Sequence, residues 1–360
     1  MSCGVVILRW RQIEAGEKDR FDQFIASSDA GDILQSFAWG EVKELDWQPI
    51  RCLAEDDSGE IRAAATVLVR RLPFVGRTVA YVPRGPVLDY SDTDLLVFVL
   101  RSLARLAREK KAIFLKIDPG VPDGSPLAKT LTSLGFSRPS GVGDFGGLQP
   151  RYTFILDLSG SITDVYTRFS PKLRYKINYA HKKGLIFRAN EETSLADFYS
   201  VLTKSGERNR LLTRSPVYFQ HLYETLKKED RVLLLTGYLS GEPVVASLTL
   251  AFGQKAWAAY GAQAGGYPNL YAYQSMNWER LCWAHGRGVR WFDLNGVPGQ
   301  AAESHPLHGI YHFKKSFGGQ FTTFTGEWNL PLSRPFYQLF ETALPRYKQA
   351  LRFCRSLVRK

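Results

Sequence analysis

The 360 residues are 44% hydrophobic and 13% aromatic, which excludes global disorder and leaves room for two ordinary domains or one large one. Lys and Arg number 47 against 35 Asp and Glu, a formal charge of +12 that fits either a polyanionic partner (nucleic acid, nucleotide phosphates, an acidic membrane face) or a plain solubility charge. Four scattered cysteines form no CxxC pair, which argues against a zinc site or disulfide framework and fits a reducing, cytosolic compartment. Met1–Gln12 lacks a signal-peptide core, and no run nears the roughly 18 apolar residues of a membrane span.

In chain order, Ile61–Val69 and Thr78–Val82 predict two strands, followed by a turn at Pro83–Pro86. Asp92 opens a helix to about Lys110, with Leu95, Leu96, Val99, Leu103 and Leu106 on one stripe. Ala112–Ile117 is an apolar strand ending in Asp118-Pro119. Glycines and prolines cluster over Gly141–Arg151 and mark a boundary; Gly141–Gly146 spells GxGxxG but opens no helix and reads as a loop. Tyr152–Leu158 starts the second half as a strand. A basic block follows from Tyr166 to Ser215, with 11 Lys and Arg against four acids. Lys172, Arg174, Lys176, Lys182 and Lys183 fall within twelve residues there, interleaved with Tyr175 and Tyr179. Cations neutralise phosphates and rings stack on bases, so the block suits single-stranded or tRNA-like contact; a charged helix surface is the other reading.

Pro216 fits the first turn of a helix to Lys227, which sets Arg214 and Tyr218 about one turn apart if the segment is helical throughout. Arg231–Tyr238, Val244–Phe252 and Ala256–Ala262 read as strands, Gly265–Pro268 as a turn, Leu270–His285 as a helix and Val289–Leu294 as a strand. His305, His308 and His312 lack a cysteine or paired carboxylate beside them, and Pro306 interrupts a helix there, so no metal is expected. In Gly309–Gly319, Lys314 follows Phe313 among aromatic residues. Read as a strand lysine it is an exposed surface group; in a cleft it stabilises a developing oxyanion or leaving oxygen. Residues 331–360 hold seven Lys and Arg and one acid, half of the surplus. Tyr347–Val358 there reads as a basic amphipathic helix, either a solvated face or a contact for anionic lipid or RNA.

Strand, strand, helix, strand recurs at an offset of about 180 residues, each copy preceded by a Gly-Glu turn, Gly59-Glu60 and Gly241-Glu242. The pattern implies an α/β (α+β) chain of two tandem domains with mixed sheets flanked by helices, and it resembles the GNAT acyltransferase fold. The expected division is 1–151 completed by 328–360, and 152–327. No P-loop, HExxH or GxSxG is present. The acetyl-CoA loop of ordinary GNAT enzymes is absent from both copies, which read YVPRGPVLDY and YGAQAGGYPN at that place. That loop supplies backbone N–H groups to a pyrophosphate, so coenzyme A is not the obvious donor, and no cofactor is expected.

Six blocks in order, LQSFAWGEVKELDW, YVPRGPVLDYSD, KLRYKINYAHKKG, YGAQAGGYPNLYAYQSMNWE, FDLNGVPG and HPLHGIYHFKKSFGG, resemble the FemABX aminoacyltransferases of peptidoglycan interpeptide bridges. The resemblance implies transfer of an aminoacyl group from aminoacyl-tRNA to the side-chain amine of the third stem-peptide residue, presented on UDP-MurNAc-pentapeptide or on lipid II. Lys43 and Arg214 match residues for the nucleotide diphosphate, and Tyr218 and Tyr260 match aromatic positions of the acceptor site. Asp118 matches an acid near the acceptor amine, and Phe313 and Lys314 match a pair near the tRNA end. A Tyr found five residues before that acid in close relatives is Ile113 here, so its phenolic hydrogen bond is lost or supplied elsewhere. The long helical arm of some members is not evident, because Arg231–Tyr238 already reads as a strand. Two other readings stay open: a GNAT-fold N-acyltransferase using an acyl-CoA donor, and a non-catalytic tRNA- or precursor-binding module.

Overall fold

A computed structural model describes residues 7–342, apart from 74, 125, 141–142, 192–193 and 210–212. The basic segment expected to be helical at Tyr347–Val358 lies outside the described residues.

The first half builds β1 (Arg9–Gln12), α1 (Lys18–Ser27), α2 (Phe37–Lys43), β2 (Gln48–Glu55), β3 (Ile61–Arg71), β4 (Thr78–Val82), β5 (Val87–Leu88), α3 (Thr93–Glu109), β6 (Ala112–Ile117) and α4 (Leu127–Ser133). The second builds β7 (Tyr152–Asp157), α5 (Ile162–Thr167), α6 (Pro171–Lys182), β8 (Ile186–Ala189), α7 (Ser194–Asn209), α8 (Pro216–Lys227), β9 (Val232–Leu239), β10 (Glu242–Phe252), β11 (Lys255–Gln263), α9 (Ala272–Gly286), β12 (Trp291–Gly296), α10 (His308–Lys315) and β13 (Gln320–Thr323). The chain then returns: β14 (Trp328–Pro331) pairs antiparallel with β6. One seven-stranded sheet runs β1-β2-β3-β4-β6-β14 with β5 on β3, and the other runs β13-β7-β12-β11-β10-β9-β8.

The repeat is visible as topology. In each sheet an antiparallel pair, β3–β4 or β10–β11, is followed by a helix and then a strand parallel to the second member, β6 or β12. Local chemistry sets the ends. The Asp92 carboxylate accepts the Leu95 N–H to cap α3, and Ser215 caps α8 ahead of Pro216 at its first turn. The predicted spans shift by two residues or so at β12 and α9, which open at Trp291 and Ala272. A short link of residues 228–231 joins α8 to β9, leaving no long arm there.

The two sheets are joined by a common core rather than by a linker. Phe21, Trp39 and Val42 of α1 and α2 pack in one cluster with Phe219 and Leu222 of α8 and Leu248 and Leu250 of β10. His221 of α8 also contacts the Glu41 carbonyl of α2 at 3.0 Å. This packing brings the C-terminal end of α2 against the start of α8, and leaves a cleft between the two sheets, walled by Arg84 and Gly120 on one side and Trp257 and Asp293 on the other.

Candidate active site

Four of the residues singled out from sequence meet where α2, α8 and β11 converge. Lys43 closes α2, Tyr218 lies in the first turn of α8, and Tyr260 projects from β11. The Lys43 ammonium donates to the Tyr218 hydroxyl at 3.0 Å, and the Tyr218 and Tyr260 hydroxyls are 3.4 Å apart. Arg214 precedes the α8 cap instead of lying on the helix, and its guanidinium stacks 4.5 Å over the Tyr218 ring. The Lys43 ammonium also sits 4.4 Å over the Trp39 ring. Burial, aided by the Arg214 charge, lowers the Lys43 pKa to about 7. Burial likewise pushes the Tyr218 phenol far up, so it stays a neutral donor. Lys43 and Arg214 thus share the Tyr218 ring, at 5.0 and 4.5 Å, and among the described residues neither enters an ion pair.

A strand irregularity shapes the second group. The β10–β11 ladder slips between Leu248 and Leu250, where Leu248 opposes Tyr260 but Leu250 opposes Trp257. The extra residue on β11 bends that strand away from β12. Parallel pairing of β11 with β12 accordingly stops at Trp257 and Asp293, whereas the matching β4–β6 ladder runs on to Val82 and Ile117. The Asn295 amide bridges the opening, donating to the Ala258 carbonyl at 3.1 Å. Buried Arg280 of α9 ties the bulge together through Thr249, the Leu248 carbonyl and the Tyr260 carbonyl.

At this opening lies a cavity of about 200 Å³ lined by Tyr273, Asn277, Arg280, Asn295, Phe313 and Lys314. The Lys314 ammonium is turned inward and donates to the carbonyls of Asn295 at 3.0 Å and Gly296 at 2.7 Å. Burial lowers its pKa to about 8, with Asp293 opposing the shift and Arg280 adding to it. Gly261 lets the Tyr273 hydroxyl approach the wall, since a Cβ there would lie 2.3 Å from it and displace it. The strand expected for the Lys314 segment is corrected: it is helix α10. Phe313 and Phe317 stand one turn apart with ring centroids 5.4 Å apart, packed on the core beneath β7 and β12. That spacing is helical, and it sets Lys315 about 100° round from Lys314 instead of on an opposite face.

Asp118 follows β6 in the first sheet and is 1% exposed. It accepts from the Tyr81 hydroxyl at 2.9 Å and from the Arg84 backbone N–H at 2.5 Å. A phenol does therefore reach this carboxyl, from β4 and not from position 113; Ile113 is buried against Val79 and Phe114. Burial raises the Asp118 pKa to about 7, against the lowering field of Arg84 and with that of Glu327 adding to it. Arg84, held in a left-handed turn at φ 51°, forms part of a larger cavity of about 500 Å³ in the cleft. Its other walls include Asp32, Lys255, Trp257, Trp291 and Asp293. Asp293 thus lies at the last paired position before the opening, with this cavity on the cleft side and Lys314 beyond.

Lys172, Arg174, Lys176 and Lys182 project from α6, and Lys183 follows it. Lys176 lies 5.1 Å over the ring of Tyr271, which precedes α9 two residues before Tyr273. The Tyr175, Tyr179 and Tyr271 rings form a chain with centroids 5.7 Å apart at each step. Among the described residues no group of three His, Cys, Asp or Glu side chains is arranged to hold a metal, and no helix is long and apolar enough to cross a membrane. Sequence reading missed Tyr81, Arg84, Tyr273, Arg280 and Asp293. Arg84 lies inside the PRGP block, and Arg280 was detectable as an arginine on the apolar stripe of α9.

A sequence model described as the FemAB family matches residues 17–241 and 238–344. The lipid II:glycine glycyltransferase of Staphylococcus haemolyticus is 26% identical over 400 aligned positions, covering 91% of this chain and 95% of that protein. The enzyme of the same description from Staphylococcus aureus is 25% identical, with 94% and 97% covered. The crystal structure of FemX superposes with a TM-score of 0.83 at 23% identity, covering 92% of this chain and all of that one. A tandem GNAT protein from the clavulanic acid biosynthesis pathway superposes at 0.54 with 11% identity, covering 90% and 98%. These likenesses establish a GNAT-like fold for both halves.

Proposed function

The chain belongs to the FemAB family and is a transferase, and from that premise we propose that it moves an aminoacyl group from aminoacyl-tRNA to the side-chain amine of the third stem-peptide residue of a peptidoglycan precursor, carried on UDP-MurNAc-pentapeptide or lipid II. The observation that carries this reading is the double use of Tyr260. Its hydroxyl belongs to the Lys43–Arg214–Tyr218 group and its carbonyl is bound by Arg280 of the Lys314 cavity, so one residue of β11 serves both an anion site and the strand opening. Lys43 and Arg214 hold the acceptor's diphosphate. Asp118 orients the acceptor end through the Arg84 turn. The amine attacks the aminoacyl ester carbonyl; a C–N bond forms, the ester C–O bond breaks, and the tRNA 3′ oxygen leaves as an alcohol, carrying the proton that the amine gives up. The ester is already activated, so positioning and charge stabilisation suffice, and Lys314 supplies the latter. The reaction is tested by mixing the purified protein with charged tRNA and each precursor, then reading the mass gained by the stem peptide. No gain with either precursor, together with thiol release from acetyl-CoA, would establish the acyl-CoA reading instead.

The anion site has a pH signature. A Lys43 with a pKa near 7 is largely neutral at pH 8, and a bound diphosphate restores its charge. Calorimetry at pH 8 in buffers of different ionisation enthalpy should therefore show proton uptake on acceptor binding, and little at pH 6. Charge-assisted bonds to phosphate are worth about 1.5–3 kcal/mol, so Lys43→Met or Arg214→Ala should weaken binding about tenfold or more. Lys43→Met should abolish the proton uptake. Arg214→Ala removes a charge that depresses Lys43, so it should move the inflection to higher pH. Unchanged affinity in both variants removes the diphosphate assignment.

For the donor, Lys172, Arg174, Lys176, Lys182 and Lys183 are proposed as phosphate contacts beside the tyrosine chain. Affinity for aminoacyl-tRNA should fall steeply with salt, and each neutralised lysine should flatten the log–log slope by about 0.7–0.9. A slope unaffected by replacing all five would leave α6 as a solvated surface.

A further inference from the structure

The end of the first sheet opposite Arg84 and Asp118 presents a surface that the transfer reaction does not use. β3 and β4 are joined by a hairpin closed by the Leu72 N–H on the Arg77 carbonyl at 2.8 Å. At its tip Pro73 is exposed and Val75 is 41% exposed. Arg70, Arg71 and Arg77 flank it. The end of α3 lies alongside, because Thr78 donates its N–H to the Lys111 carbonyl at 3.2 Å and its hydroxyl to the Lys110 carbonyl at 2.7 Å. The apolar stripe of α3 is buried, which turns Arg101, Arg105 and Arg108 to the outside. With Lys110 and Lys111, these make eight cations, and among the described residues none is in an ion pair or donates a side-chain hydrogen bond. Arg70 and Arg77 make only ring contacts, to Trp47 at 5.7 Å and Phe336 at 5.1 Å. The acids of this end are Glu109 on α3 and Glu44 and Asp46 after α2, and Leu45 between the latter two is 49% exposed.

We propose that this end of the first sheet docks on an anionic lipid bilayer, with the apolar hairpin tip entering the headgroup layer and the surrounding arginines and lysines facing lipid phosphates. An exposed apolar tip set in unpaired cations matches an interface that is apolar below and anionic above. A nucleic-acid backbone would use the cations but offers nothing to the tip, and the tyrosine chain suited to bases lies on α6 of the other sheet. The location also fits the site, a step that rests on the diphosphate reading of Lys43 and Arg214. The Trp47 N–H donates to the Lys43 carbonyl at 2.9 Å, and the Trp47 ring carries Arg70, so Lys43 lies toward the docking end. Arg84 and Asp118 lie beyond the five residues of β4, about 16 Å along the strands. A lipid-linked precursor has its diphosphate at headgroup level and its stem peptide farther out, which is the same order.

The test is flotation of the full-length protein with phosphatidylcholine vesicles, with and without phosphatidylglycerol. Each cation near an anionic surface is worth about fivefold in partitioning, so the triple variant Arg101→Gln, Arg105→Gln, Arg108→Gln should bind anionic vesicles about a hundredfold more weakly. Val75→Asp should lose at least about tenfold. Both variants should transfer to the soluble UDP-linked precursor at the wild-type rate, which also shows that they are folded, while transfer to a vesicle-borne lipid-linked acceptor falls with binding. Wild-type protein that ignores anionic vesicles, or variants that float equally well, overturns the proposal. Loss of tRNA binding in the triple variant with vesicle binding intact makes the surface an RNA contact and also overturns it. Variants that lose vesicle binding in a protein inactive on both precursors would uphold the surface and remove the acceptor reading alone.

Discussion

Lys314→Met should lower the single-turnover transfer rate by about 10²–10³ while leaving acceptor affinity nearly unchanged, because loss of one preorganised charge at a developing oxyanion or leaving oxygen costs that much. The geometry makes the comparison with Lys315 sharp. Lys314 is anchored to the Asn295 and Gly296 carbonyls inside the β11–β12 opening, and its ammonium remains mostly protonated at pH 7 with a pKa near 8. Lys315 is the next residue of the same helix, yet it is exposed and lies 5.8 Å over the Tyr311 ring. Lys315→Met should therefore be mild. The rate with the wild-type protein should also decline above about pH 8 as Lys314 loses its proton, and this limb should vanish in Lys314→Met. Equal and small effects of the two substitutions would reduce Lys314 to a structural anchor of the opening.

The parts of this fold that were legible are those written in local patterns. The strands at Thr78–Val82 and Ala112–Ile117 are continuous apolar runs, buried along nearly their whole length, and their ends match the expected ones. The α3 stripe and its Asp92 cap, and the Ser215-Pro216 start of α8, carry their own signals. α10 was misread because Gly309 and the Gly318-Gly319 pair frame it like a strand between turns. The competing signal, Phe313 and Phe317 four apart, was present in the sequence and is the one the core obeys. What no local pattern encodes is convergence. Tyr218 and Tyr260 lie 42 residues apart and meet because the first turn of α8 packs on β11, with the Phe219 and Tyr260 ring centroids 5.0 Å apart. The β11 bulge that opens the sheet is a register event between strands, and its supports come from Arg280 of α9 and Asn295 of β12. Family motifs named several of these residues; they did not say that the opening exists in the second sheet and is closed in the first.

Lys116 offers the complementary test, on stability. It sits in the apolar run of β6 with all its neighbours buried, and among the described residues its one ion-pair partner is Glu327, which lies 211 residues away and just before β14. Glu327 also accepts the Leu148 backbone N–H, so this pair fastens the returning chain and the loop between the two sheets onto β6. Removing one member of a buried pair strands the other charge, at a cost of about 3–5 kcal/mol. Against a total stability of about 5–15 kcal/mol, Lys116→Met should sharply lower the urea midpoint. Adding Glu327→Gln should recover most of the loss, since the amide oxygen still takes the Leu148 N–H while the stranded charge is gone. The same double variant reports on the site. Glu327 raises the pKa of Asp118, so its neutralisation should move the Asp118 inflection below about 7. A Lys116→Met midpoint within experimental error of wild type would mean that water reaches the pair, and that β14 is held to β6 by its strand ladder alone.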